Sequence, residues 1–264
     1  MLELLQFRYS PYNEKVRWAL DIKQVAHRRM ALLPGPHLPR IKKLTGGASS
    51  ATPVLVHDGV ALGGSAAILD WLEEQYPTPP LMPADAGQAA AARAIAARFD
   101  SDIGPRGRRT VLAALLTSPA YFAAVFGAGH GALARAAYAL IVPLAAPLVR
   151  KGNGITGEAA VADGHVAFEE GLAFVAREAA ATGYLVGGTF TLADLTAASI
   201  LATCVDPPDS PMARPRPMAL RFAALVERYA RHPGADWVRG IYARHRGARS
   251  DFNGASPYGS NATA

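Results

Sequence analysis

Apolar positions along the chain change their spacing near residue 80. Leu2 to Phe7 is a short apolar run that suits a buried strand, and Tyr12 to Val25 then sets Val16, Ala19, Leu20 and Val25 close to one helical face. Arg28 to Leu33 reads as a second strand, closed by the breaker Pro34-Gly35-Pro36, and Leu38 to Leu44 as a short basic helix. Pro53 to His57 and Val60 to Leu62 flank Asp58-Gly59, a two-residue hairpin turn. Ser65 to Tyr76, carrying Ile68, Leu69 and Leu72, predicts a helix that ends at Pro77. The order is β-α-β-α-β-β-α.

Pro77-Thr78-Pro79-Pro80 cannot continue a helix and predicts a stiff linker over 78–83. Beyond it the strand spacing disappears. Asp85 to Ile103, Arg108 to Leu116, Ala132 to Val149, Glu158 to Ala181, Leu192 to Val205, Ala219 to Arg231 and Ala235 to Arg244 all read as helices, most of them rich in alanine. The expected organisation is therefore a mixed domain over 1–77 and an all-helical domain over 84–250, with a loose tail of small residues over 251–264. The apolar stretch from Leu133 to Val149 contains Arg135, Pro143 and Pro147, which predicts a buried, proline-bent helix pair and no membrane span.

Composition narrows the function classes. Of 264 residues 54 are alanine, and half the chain is hydrophobic, which excludes wholesale disorder. One cysteine, Cys204, excludes an internal disulfide framework, a CxxC redox pair and a multi-cysteine zinc site; it reads as a small buried hydrophobe in a reducing compartment. The N-terminus mixes acids and bases into its first apolar run and so lacks the pattern of a signal peptide, pointing to the cytoplasm. Residues 212–250 hold nine Arg against Glu227 and Asp236, read as a solvated arginine face rather than a nucleic-acid surface, since no aromatic-basic motif accompanies it. The seven histidines show no metal-ligand spacing, so no metal is expected.

Three places carry candidate chemistry. Ser10, in Tyr9-Ser10-Pro11-Tyr12-Asn13, stands where a strand runs into a helix, and the orphan amides and dipole of a helix N-terminus favour an anionic sulfur or oxygen. Thr52-Pro53 opens the hairpin, and Gly63-Gly64-Ser65 opens another amide-rich helix end. A sheet order that gathers these ends would make one anion-binding crevice. In the helical half, Thr191 as N-cap with Asp194 three residues on approximates a capping box, with Phe190 placed to staple onto Leu195; these residues fold a helix and are not catalytic.

Four blocks in order resemble the cytosolic glutathione transferase superfamily: Ser10 to Leu20, Thr52 to Leu55, Leu62 to Leu72 and Tyr184 to Asp194. The resemblance implies a thioredoxin-like N-terminal domain of α+β class followed by an all-α helical bundle, with glutathione as cosubstrate. By the same resemblance Ser10, or failing it Tyr9, stabilises the glutathione thiolate, Pro53 is a cis-proline, and Thr52 or Val54 offers backbone to the cysteinyl unit. Ser65 would receive the γ-glutamyl carboxylate and Lys42, Lys43 or Arg40 the glycyl carboxylate. Gly64 departs from the Glu or Gln that relatives place there, leaving the γ-glutamyl contact to backbone, water, Asp100 or Asp102. Asn13 stands where glutaredoxin-like relatives carry a second cysteine, so thiol-disulfide exchange is not expected.

The activity so implied is a detoxification-type attack of activated glutathione on a small hydrophobic electrophile. The alternatives are a noncatalytic scaffold on the same fold or an enzyme using another thiol. Arg106, Arg108 and Arg109 read as interdomain ion pairs in preference to cleft lining. A homodimer is implied, with helices around 85–103 near the partner's first domain. The apolar stretch 111–149 then either meets the second subunit or folds over its own cleft as a lid.

Overall fold

The computed structural model describes residues 1–212, 214–247 and 252–258. The chain divides into two compact units, Met1–Leu81 joined by the C-terminal segment from 250 onward, and Met82–Arg249.

In the N-terminal unit β1 (Leu2–Phe7), α1 (Pro11–Ile22), β2 (His27–Leu32), α2 (Leu38–Leu44), β3 (Val54–His57), β4 (Val60–Gly63) and α3 (Ser65–Gln75) follow in the predicted order. They build a mixed sheet in the order β4-β3-β1-β2-β5. β1 runs parallel to β2 with Leu2 beside His27, and antiparallel to β3 with Leu5 beside Val54. Leu5, Val54 and Ile41 of α2 form a core cluster on one face of the sheet. Alternation along β1 turns Gln6 to the other face, where its side-chain carbonyl accepts from Arg17 of α1 at 2.6 Å.

β5 (Gly254–Ala255) corrects the expectation of a loose tail over 252–258, and with it the expectation of no strand in the second half. It adds antiparallel to the open edge of β2, with Arg28 beside Ala255. Ser256 exchanges bonds with the His27 backbone at 2.7 and 3.0 Å, and the Asn253 side chain accepts from Ala31 N–H at 2.7 Å. Phe252 is buried, with the guanidinium carbons of Arg8 and Arg17 at 4.5 and 4.8 Å from its ring centre. An unpaired strand edge and two cations seeking an aromatic face explain why so polar a segment docks. Residue 251 and residues 259–264 of the expected tail lie outside the described residues.

The helical unit contains α4 (Ala86–Arg98), a wide turn of π-helix at Phe99–Ile103, α5 (Gly104–Leu115), α6 (Pro119–Phe126), α7 (Ala132–Gly152), α8 (Glu158–Glu178), α9 (Leu192–Val205), α10 (Leu220–Tyr229) and α11 (Pro233–His245). Pro105 has no N–H to return to the preceding turn, and the wide turn lets the chain continue into α5 where sequence suggested separate helices. α9 lies at the centre, buried from Ala193 to Val205. α5 and α8 approach closely at Gly107, where a Cβ would stand 2.5 Å from the Phe168 ring.

Several expectations for this unit are corrected. Arg106 does not form interdomain pairs: its guanidinium binds Asp163 at 2.8 Å, Glu170 at 2.9 Å and Asp102 at 3.3 Å, all within the helical unit. Arg109 shares Asp163 at 3.1 Å. The cause is local, because α8 presents two carboxylates to α5 and Asp102 lies one turn before Arg106. The arginine face is solvated only in part, since Arg214 is buried, ion-paired with Asp206 at 3.0 Å and donating to Thr203 O at 2.6 Å, and Arg246 is buried too. Finally, α7 is one mostly exposed helix and not a buried pair. Leu133, Leu140, Leu144 and Leu148 are 85%, 77%, 83% and 70% exposed. Pro143 and Pro147 also face outward, so the carbonyls they leave unpaired meet solvent and the helix need not break. By length and composition α7 is the one helix among the described residues that can cross a membrane.

Candidate functional site

Ser10 caps α1 with extended backbone, φ −163° and ψ 125°, and Pro11 follows at a position where its missing N–H costs nothing. The Ser10 oxygen accepts from Asn13 N–H at 3.5 Å, which leaves the hydroxyl hydrogen free to donate. Ser10 is half-buried, whereas Tyr9 beside it is 5% exposed.

The loop that presents Ser10 is anchored from beneath. Arg17 is fully buried on α1, paired with Glu14 at 2.7 Å. Its guanidinium also donates to Gln6 Oε1 and to the carbonyls of Phe7 at 3.1 Å and Arg8 at 3.4 Å. The last two belong to the end of β1 and the start of the loop, so the network fixes where the strand releases the chain. In the sequence Glu14 and Arg17 lie inside the resembling block Ser10 to Leu20. Their opposite charges at i, i+3 on a helix were the available signal.

Asn13 joins this corner to the hairpin. It is fully buried, and its side-chain amide donates to Thr52 Oγ1 at 3.1 Å. The Thr52-Pro53 peptide is cis. On the other side of that bond, Pro53 O accepts from Gly64 N–H at 3.1 Å. Ser10, Asn13, Thr52, Pro53, Gly64 and Ser65 are thus linked through successive contacts, and Val54 follows as the first residue of β3. The Asn13 side-chain oxygen, Oδ1, is buried without a hydrogen-bond partner among the described residues.

Gly64 holds φ at 91°, a conformation glycine adopts without strain, and gives α3 no side-chain cap. The first amides of α3, beginning at the buried Ser65, are therefore open to an anion. Lys42 is exposed on α2, as are Arg40 and Lys43, and makes no bond to the residues of this corner. His37 at the head of α2 is held below the ordinary histidine value by burial. Asp102, considered for the γ-glutamyl group, is engaged by Arg106. No group of His, Cys, Asp and Glu fit for a metal occurs among the described residues. Cys204 is buried, and desolvation pushes its thiol well above the ordinary value.

In the helical unit Thr191 and Asp194 close a capping box at the start of α9. The ring of Phe190, expected against Leu195, lies stacked on His245 at 4.6 Å.

Comparison with known proteins agrees with the fold. A family described as glutathione S-transferase, N-terminal domain, matches residues 4–80, and one described as glutathione S-transferase, C-terminal domain, matches residues 158–240. A maleylpyruvate isomerase from Ralstonia sp is 33% identical over 137 residues, half of this chain and 59% of that protein. The matches span about half the length of the curated relatives. A solved glutathione S-transferase from Rhodospirillum rubrum superposes with TM-score 0.58 at 20% identity, covering 92% of this chain and 89% of that one. Another, from Methylobacillus flagellatus with glutathione bound, superposes with TM-score 0.54 at 20% identity, covering 91% and 94%.

Proposed function

Because the chain belongs to the cytosolic glutathione transferase superfamily, we propose that its N-terminal unit binds glutathione at the Ser10–Thr52–Ser65 corner and holds the thiol as a thiolate for attack on a small hydrophobic electrophile. The observation that carries this reading is the continuous contact path from Ser10 through Asn13, Thr52, Pro53 and Gly64 to Ser65. It supports a divided ligand: a thiolate at the α1 end, an extended backbone along Thr52–Val54, and a carboxylate on the uncapped α3 amides. Ser10 is favoured over Tyr9 because it is the more exposed and because its oxygen, by accepting from Asn13, leaves its hydrogen to the sulfur. Conjugation, thiolytic cleavage and glutathione-assisted isomerisation share this first step.

Calorimetry with glutathione tests the reading. Saturable binding is expected, and Ser65→Ala should weaken it by about 1.5 to 3 kcal/mol, the cost of a hydrogen bond to a charged group. Ser10→Ala should raise the pKa of the bound thiol, followed by thiolate absorbance against pH. Absence of glutathione binding in the unaltered protein would return the noncatalytic or other-thiol reading.

We also propose a homodimer, and α7 supplies a surface for it. Its outward leucines are arranged about the midpoint between Leu140 and Ile141, so an antiparallel copy places Leu133 opposite Leu148, Ala137 opposite Leu144, and Leu140 opposite Ile141. A two-fold interface requires such self-complementarity. Light scattering should give twice the chain's 27.7 kDa, falling to that value in Leu140→Glu. A monomer mass for the unaltered protein would favour the lid.

A further inference from the structure

The segment 252–258 docks on the N-terminal unit with one side chain buried: Phe252 is 4% exposed, whereas Asn253, Gly254, Ala255 and Pro257 lie at the surface. Covering the edge of β2 accounts for β5 but not for the ring. The polar contacts of Asn253 and Ser256 with β2 serve instead to fix where Phe252 enters.

Phe252 reaches the end of β1 through both its backbone and its ring. Its carbonyl accepts from Gln6 Nε2 at 3.0 Å, and the other end of that fully buried amide accepts from Arg17 at 2.6 Å, so Gln6 joins the C-terminal segment to the α1 network. The ring lies against two guanidinium groups, Arg8 at 4.5 Å and Arg17 at 4.8 Å. Arg17 in turn donates to the Phe7 and Arg8 carbonyls. These contacts converge on residues 6–8, and Ser10 follows two residues after Arg8. Two cations sharing one ring repel each other, and its π face offsets that repulsion away from water, which an aliphatic side chain of similar volume cannot do.

We propose that Phe252 is a positioning residue for the thiolate site: by holding Arg8 and Arg17 against its ring it sets the course of the chain from Phe7 to Ser10, and with it the place of the Ser10 hydroxyl beside the bound sulfur. This role rests on the reading that glutathione binds at Ser10. Phe252 acts through the loop and not on the ligand, and no contact links it to Thr52 or to the α3 amides at Ser65. Its loss therefore falls on the ionisation of the thiol and spares the part of the peptide bound at Thr52 and Ser65.

The full chain and its Phe252→Leu, Phe252→Ala and Phe252→Tyr variants, each checked for fold by circular dichroism, are titrated with glutathione and with S-methylglutathione, and the bound thiol is followed by thiolate absorbance against pH. In Phe252→Leu, which fills the space without an aromatic face, the acid dissociation constant of the bound thiol should fall about threefold to tenfold, the worth of a partly buried cation–π contact. Phe252→Ala should fall at least as far, and if it does not fold, Phe252→Leu decides. Phe252→Tyr keeps the ring and should keep the constant of the unaltered chain. Affinity for S-methylglutathione, which has no thiol to ionise, should hold in all three. An unchanged constant in Phe252→Leu overturns the proposal, as does an equal loss of affinity for both peptides, the mark of a purely structural role; in both cases the unaltered chain still binds glutathione. Absence of that binding overturns the Ser10 reading itself, and this role with it.

Discussion

Replacing Glu14 with alanine is expected to lower the stability of the N-terminal unit by about 3 to 5 kcal/mol, because it removes one member of a buried ion pair. Both side chains of the Glu14–Arg17 pair are wholly inaccessible, and the pair is 2.7 Å long. Without the carboxylate, Arg17 keeps its bonds to Gln6 Oε1 and to the carbonyls of Phe7 and Arg8, neutral groups that do not replace the charge Glu14 supplies away from water. Urea unfolding at neutral pH, followed by circular dichroism, measures the loss; a cost below about 1 kcal/mol would mean that water reaches the guanidinium. A second variant separates folding from function. Glu14→Leu/Arg17→Met removes both charges, and apolar replacement of a buried pair is often neutral or stabilising. Stability should therefore largely recover while glutathione binding falls, because Arg17 no longer ties the Phe7 and Arg8 carbonyls that set the approach to Ser10.

That difference marks how far the sequence was readable. Strands and helices of the N-terminal unit follow from apolar spacing and from Asp58-Gly59, whose αL backbone at both positions is what a tight hairpin turn needs. Ser10, Thr52 and Ser65 were legible because caps and strand starts are local chemistry. Asn13 was not, since its value lies in a bond to Thr52 across 39 residues. The docking of 252–258 escaped for the same reason: a stretch of Gly, Asn and Ser has no pattern of its own, and its partners are the β2 edge and two arginines far away in sequence. Arg106 misled because charge alone does not say which carboxylates the fold brings near. α7 misled most, since a leucine-rich run reads as core by composition, yet its outward face has no cover among the described residues.

Asp194→Ala is expected to be as damaging to the helical unit as the loss of Glu14 is to the other. Asp194 is fully buried, and one oxygen accepts from Leu185 N–H at 2.9 Å. The other accepts from Thr191 N–H at 2.9 Å and from the Thr191 hydroxyl at 3.0 Å. Alanine leaves two backbone donors and a hydroxyl unpaired; at about 1 to 3 kcal/mol for each buried unsatisfied group, partly relieved by relaxation, a loss of about 3 to 5 kcal/mol follows. The damage should spread, because Asp194 starts the central α9 and pins the turn at Leu185 to it. Trp237, whose indole donates to Gly183 O at 3.0 Å, reports on that turn by fluorescence during urea unfolding. Asn at 194 keeps one acceptor but aims an NH₂ group at existing donors, so Asp194→Asn should be intermediate. Burial outweighs the hydrogen bonds and holds the Asp194 carboxyl above its ordinary pKa. The folded state then keeps the proton to higher pH than the unfolded chain does, so this residue makes stability fall as pH rises through the carboxylate range and is level above it. Asp194→Asn should flatten that part of the stability profile. A loss below about 1 kcal/mol in Asp194→Ala would show that water replaces the carboxylate at the start of α9.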